Sequence, residues 1–150
     1  MPHIAGGDDN RALFAEVVAA MAQQGIHFAP CTGKQVERVE ALLDNALGLA
    51  IIRRLERLPG EHIVIANAGV HKGTTVARLQ QLVGAGRHET LVFGDGLNDI
   101  ELMACADFSF AMRNGHDETK DAAHFITRSN DEDAVMHTIL QLLALQRQGA

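Results

Sequence analysis

The sequence predicts an α/β fold with a mainly parallel sheet flanked by helices. Two observations carry that expectation. Short apolar runs alternate along the chain with longer segments of helical period, and the apolar run Leu91-Val92-Phe93 breaks into a Gly94-Asp95-Gly96 turn before an amphipathic segment restarts. At 150 residues, 47% of them apolar, the chain suits one domain spanning residues 1–150 with its own core.

The elements follow in order. Asp8 or Asp9 caps a helix that carries Leu13, Phe14, Val17, Val18 and Met21 at helical spacing, and Gly25 stops it. A strand is expected at Ile26–Cys31. After Thr32-Gly33, Val36, Val39, Leu43, Leu47, Ile51 and Leu55 form one apolar stripe of a long helix, which Leu58-Pro59-Gly60 ends. His62–Ala66 is a short strand. Thr74–Leu82 is a helix closed by Gly84 and Gly86, and a strand then runs into Asp95. A short helix at Asn98–Ala104, a strand at Phe108–Met112 and an amphipathic helix at Ala134–Leu145 complete the chain. No internal repeat or low-complexity segment interrupts this order.

Composition narrows the partners. A net charge of −6 without a Lys/Arg run argues against nucleic acid and against a membrane surface, since phosphate backbones are bound through clustered cations. A small molecule is the expected ligand. Cys31 and Cys105 stand outside any Cys-x-x-Cys pattern, which indicates neither a disulfide framework nor a zinc site and suggests a reducing, cytoplasmic setting. The first residues lack a signal-peptide pattern, and no window approaches a membrane span. The histidines are scattered, Cys31 and Cys105 are expected to be small buried apolar residues, and Met21, Met103 and Met112 are expected core filler.

In parallel α/β sheets, ligands collect beyond the carboxyl ends of the strands. Thr32 and Asp95 each follow a strand candidate, and Lys72 opens a helix whose amino end would face the same crevice. Carboxylates and an amide at Asp95, Asn98 and Asp99 supply the hard oxygens that Mg²⁺ prefers. A hydroxyl, an ammonium and a metal would together grip a phosphoryl group. Each residue also has a bland reading: Asp95 and Asp99 as turn and helix-start residues, Thr32 as a cap, Lys72 as a solvated first-turn lysine.

Three segments in order, Cys31-Thr32-Gly33-Lys34, Gly69-Val70-His71-Lys72-Gly73 and Gly94-Asp95-Gly96-Leu97-Asn98-Asp99, resemble the second, third and fourth motifs of the haloacid dehalogenase-like phosphatases, especially the Cof-type sugar-phosphate phosphatases. The likeness continues through Ala106–Met112 and Ala122–Thr127. It implies a three-layer Rossmann-like core in which Thr32 hydrogen-bonds the phosphoryl group with Gly33 beside it. Lys72 neutralises that group, Asp95 binds Mg²⁺, and Asn98 with Asp99 completes or positions the shell. The implied catalytic residues are Lys72 and Thr32, the implied phosphate-binding residues are Thr32, Gly33, Lys72 and Asn98, and the implied metal residues are Asp95 and Asp99. The implied substrate is a small phosphorylated metabolite.

Two departures from the family pattern shape the functional expectation. The family's nucleophile sits in a motif of Asp, any residue, Asp, Gly, Thr at the end of a central first strand, and no such motif occurs in this sequence. The Asp8-Asp9 pair reads as a helix cap rather than as a replacement. The sheet is therefore expected to lack or replace its central first strand, by its neighbours closing up, by His3-Ile4-Ala5 serving as a stub, or by a strand from another chain. The second departure is the absence of a large cap domain between Thr32 and Lys72, where Ile63–Ala66 is either a sheet strand or a cap remnant. An uncapped site is expected to bind small sugar phosphates weakly unless a second subunit of a homo-oligomer forms the lid, and capless members of the family it resembles often oligomerise. Two functions follow: a Mg²⁺-dependent phosphatase of sugar phosphates and similar metabolites, or a non-catalytic or truncated relative that keeps a phosphate and Mg²⁺ site. A start of the protein upstream of Met1 would restore the nucleophile.

Overall fold

The computed structural model describes residues 8–29, 31 and 71–149. Its elements are helix α1 (Asp8–Gln23), helix α2 (Lys72–Val83), strand β1 (Leu91–Gly94), helix α3 (Ile100–Met103), strand β2 (Phe108–Met112), helix α4 (Asp117–Ala122), strand β3 (Phe125–Thr127) and helix α5 (Ala134–Gly149). The expectations at Thr32, Gly33, residues 36–55 and residues 62–66 lie outside the described residues, as does His3-Ile4-Ala5. Among the described residues no helix is long and apolar enough to cross a membrane.

The three strands form a parallel sheet in the order β1-β2-β3. Leu91 pairs with Phe108 and Phe93 with Phe110, while Phe110 pairs in turn with Phe125. Successive strand side chains point to opposite faces. Leu91 and Phe93 therefore pack toward Val17 and Met21 of α1 and Met136, Ile139 and Leu143 of α5, with Phe28 beside them. Val92 faces the other way and packs with Leu102, Met103 and Ala106, joined by Val76, Ala122, Ala123 and Cys31. Helices on both faces of a parallel sheet make three layers, the architecture that the alternating pattern predicts.

On the α1–α5 face, Phe93, Phe110 and Phe125 stack in a ladder across the strands, with ring centroids 5.5 and 5.0 Å apart. On the other face Met103 is wholly buried, and Met21 and Met112 are buried as expected of core methionines. Hydroxyl groups tie the short last strand in place. Ser109 Oγ accepts the His124 backbone N–H at 3.0 Å and meets His124 Nδ1 at 2.7 Å, and Thr127 and Thr138 join hydroxyls at 2.7 Å between β3 and α5.

Several boundaries differ from the sequence expectation. No strand forms over residues 26–29 or at Cys31, none of which pairs with the sheet, and the segment instead places Phe28 in the α1–α5 cluster and Cys31 in the Val92–Met103 cluster. Helix α2 starts two residues early, because His71 caps it: Thr74 N–H donates to His71 Nδ1 at 3.4 Å and Thr74 Oγ1 accepts from the His71 N–H at 3.0 Å. The helix expected at Asn98–Ala104 is divided into a 3-10 turn, Leu97–Asp99, and α3. Helix α1 begins at Asp8, so Asp8 and Asp9 lie within its first turn. Gly25 and Gly84, with φ of 68° and 74°, follow α1 and α2 in the left-handed conformation that ends helices. Cys31 and Cys105 are half-buried rather than fully buried.

Candidate functional site

Asp95 is the first residue beyond β1, at the carboxyl end of the strand that packs on both faces. The chain can turn there because Gly94 leaves room. A Cβ on Gly94 would stand 2.6 Å from both Asp99 Cβ and Met103 Cε, so the glycine lets the following turn fold tightly back on the strand.

That fold-back brings Asp99 inward, where it is only 3% exposed. Its Oδ2 accepts the backbone N–H groups of Asp95 and Gly96 at 3.0 and 3.1 Å. Its Oδ1 accepts from Lys72 Nζ, forming an ion pair across 27 residues of sequence. A buried carboxylate is tolerable only when paired and hydrogen-bonded, and Asp99 is both. The first residue of α2 is thereby fastened to the turn that carries Asp95. Lys72 remains partly exposed. Asn98 is exposed on the same turn, its Oδ1 standing over Gly96.

Three further residues brace this turn from the chain beyond β2. The Asp95 carbonyl accepts the His116 N–H at 2.9 Å, and Thr119 Oγ1, on a fully buried side chain of α4, donates to the Gly96 carbonyl at 2.8 Å. Asn130 Nδ2 donates to Asp95 Oδ2 at 3.0 Å. Sequence reading did not single out Thr119, Asn130 or its neighbour Asn114. Their partners lie 16 to 35 residues away and leave no periodic signal.

Cys31, the residue before Thr32, sits against the Val92–Met103 cluster on the α2–α3 side of the sheet. Burial pushes its thiol above the ordinary value, the Lys72 cation pulls it down, and Asp99 and Cys105 add to the upward shift. Cys31 is thus within electrostatic reach of the Lys72–Asp99 pair. Thr32 and Gly33 lie outside the described residues.

The donor set discriminates between metals. Among the described residues no three of His, Cys, Asp and Glu converge, which does not suit a zinc or other multi-ligand protein cage. A Mg²⁺ ion held by one carboxylate, waters and substrate phosphate needs no such cage, and Asp95 at a strand end fits that role. Asp99, with both oxygens engaged, fits the orienting of Lys72 and of the turn.

Comparison with known proteins accords with this geometry. A family model described as haloacid dehalogenase-like hydrolase matches residues 48–139. The 5-amino-6-(5-phospho-D-ribitylamino)uracil phosphatase YbjI of Escherichia coli (strain K12) is 43% identical over 75 residues, which is 50% of this chain and 28% of that protein. The 5-amino-6-(5-phospho-D-ribitylamino)uracil phosphatase YwtE of Bacillus subtilis (strain 168) is 36% identical over 88 residues, covering 58% of this chain and 31% of that protein. The chain thus spans under a third of the length of these two curated relatives. In fold, it superposes on the 3-deoxy-D-manno-octulosonate 8-phosphate phosphatase of Moraxella catarrhalis with a TM-score of 0.65, over 88% of this chain and 68% of the other, at 22% identity.

Proposed function

The chain belongs to the haloacid dehalogenase-like hydrolase family, and on that premise we propose that Lys72, Asp95, Asn98 and Asp99, with Thr32 and Gly33, form the phosphate and Mg²⁺ part of a site for small phosphorylated metabolites such as sugar phosphates. The observation that carries this reading is the Asp99 junction. One buried carboxylate holds the Lys72 ammonium and the backbone of Asp95 together at the carboxyl end of the sheet. A cation and a carboxylate fixed side by side recognise a phosphoryl oxygen and a divalent ion respectively.

In this reading Asp95 holds the ion, with Asn98 beside it. When bound, Mg²⁺ supplies Lewis-acid neutralisation of phosphoryl charge. Lys72 donates to a phosphoryl oxygen, and Asp99 orients Lys72. Thr32 and the adjoining Gly33 N–H donate to the remaining oxygens. A phosphotransfer enzyme of this type also needs a carboxylate to attack phosphorus. These residues contain no Asp, any residue, Asp, Gly, Thr motif, so a second reading is kept: the chain binds the phosphorylated ligand without turning it over. Both readings share a cytoplasmic setting and a lid contributed by a second copy of the chain.

The test uses the full chain. An active protein hydrolyses p-nitrophenyl phosphate with an absolute need for Mg²⁺ and loses that rate in Asp95→Ala. A binding protein gives no rate, yet Mg²⁺, and inorganic phosphate in its presence, raise the melting temperature. Ligands that bind only the native state stabilise it by mass action, by about 2.7 kcal/mol at a hundredfold excess over Kd. A protein that shows neither rate nor shift rejects both readings.

A further inference from the structure

Asn114, in the turn after β2, and Asn130, in the 3-10 turn Asn130–Glu132 after β3, clasp one another. Asn114 Nδ2 donates to Asn130 Oδ1 at 2.7 Å, and Asn114 Oδ1 accepts the Asn130 backbone N–H at 3.2 Å. An amide side chain has an acceptor end and a donor end, and its hydrogen-bond network decides which way it faces. Here the choice is forced. Because Asn114 Nδ2 must find an acceptor, Asn130 presents its oxygen to Asn114 and its NH₂ to Asp95 Oδ2, at 3.0 Å. Asn130, a partner of the Asp95 side chain, thus belongs to a loop 35 residues further along, and a third loop fixes its orientation.

We propose that Asn130, set by Asn114, is a positioning residue that aims the Asp95 carboxylate at a divalent cation. The proposal rests on the metal-binding reading above and adds to it the device that holds the ligand. A carboxylate with one oxygen bound by an amide N–H loses its freedom to rotate, so its cation-facing geometry exists before the ion arrives. Groups that orient a metal ligand in this way affect affinity without touching the metal. The device also joins the ends of all three strands. Asp95 follows β1, Asn114 follows β2 and Asn130 follows β3, so Asn130 ties the third loop to the Asp95 carboxylate and Asn114 ties the second loop to Asn130.

Mn²⁺ titration of the full chain, followed by electron paramagnetic resonance, tests this directly. Asp95→Ala sets the level of incidental binding to an acidic protein. Relative to wild type, Asn130→Ala is expected to weaken the Asp95-dependent site by about 10- to 100-fold, the usual cost of removing a group that orients a ligand. Asn114→Ala is expected to weaken it less, because the Asn130 amide is still present but free to turn. Melting curves without metal separate loss of aim from loss of fold. Asn114 is exposed, so its variant keeps the proposal testable if Asn130→Ala does not fold. If wild type binds Mn²⁺ through Asp95 and folded variants at 114 and 130 bind it equally well, the positioning role is overturned while the metal site stands. If wild type binds no more Mn²⁺ than Asp95→Ala, the metal reading falls, and the positioning role with it.

Discussion

Gly94 shows how a single missing side chain sets the position of a carboxylate. The nearest atoms to a Cβ there are Asp99 Cβ and Met103 Cε, both at 2.6 Å, and the first is the root of a buried side chain held by three hydrogen bonds. Gly94→Ala is therefore expected to destabilise the fold by about 1–3 kcal/mol, the range for overpacking a core, measured as a lower urea midpoint at unchanged slope. Cys31 reports on the same place electrically. Its thiol is held up by burial and drawn down by Lys72, so alkylation by iodoacetamide, followed against pH in a Cys105→Ser background, should have its midpoint above that of an ordinary thiol. In Lys72→Met the midpoint should rise further. The sign for stability follows from linkage: a raised folded-state value favours the folded protein fully below the unfolded thiol's pKa, and that contribution is lost as pH climbs through the folded one. Lys72→Met with an unmoved midpoint would show that the ammonium does not reach Cys31.

At the scale of elements, the short strand β3 depends on its neighbours. It has three residues, and Phe125 and Ile126 are exposed, so its place is secured by pairing with β2, by the phenylalanine ladder and by Ser109. Ser109 is fully buried and takes the His124 N–H just before the strand begins. Ser109→Ala should leave that donor without its partner and cost about 1–3 kcal/mol, with faster amide exchange at His124 and along β3 than along β1. Elements of this kind were the hardest to foresee. Phe108–Met112 was legible because its apolar run is long enough to stand out, and Leu91–Gly94 because an abrupt Gly-Asp-Gly turn follows it. Helix α4 is short and polar, and Phe125–Thr127 is too brief to show a period, so both are visible only once β2 is there to receive them. Residues 26–29 mark the opposite error. Their apolar character reads as a strand, yet Phe28 serves packing against α1 and α5 without any ladder pairing, and apolar composition alone does not distinguish the two.

For the whole molecule, the Lys72–Asp99 pair is the ionic link between α2 and the strand-end turn, beside the packing of Val76 on the Val92 cluster. Removing one member of a buried pair leaves an uncompensated charge, whereas removing both does not. Lys72→Met alone is expected to cost about 3–5 kcal/mol at neutral pH, and the Lys72→Met/Asp99→Leu double variant to recover part of it, with chemical denaturation as the measurement. Equal losses in the single and double variants would mean that the two backbone N–H groups, rather than the ammonium, are what Asp99 chiefly serves. The site's legibility divides along the same line. Lys72, Asp95, Asn98 and Asp99 were readable because they sit in short local motifs at a helix start and a strand end. Asn114, Thr119 and Asn130 were not, because ordinary loop and helix residues acquire their meaning only when folding brings two distant loops and α4 to the turn that carries Asp95.

The same junction makes the two sides of the site answer to one another. Asp99 holds the Lys72 ammonium with one oxygen and the Asp95 and Gly96 N–H groups with the other, so a guest that draws on Lys72 pulls on the peptide that carries Asp95. In the proposed site a phosphoryl group and a divalent cation are therefore expected to be linked, each changing the affinity for the other by the same factor. Titration of inorganic phosphate with and without Mg²⁺ should give different midpoints, and equal midpoints would show that the junction transmits nothing.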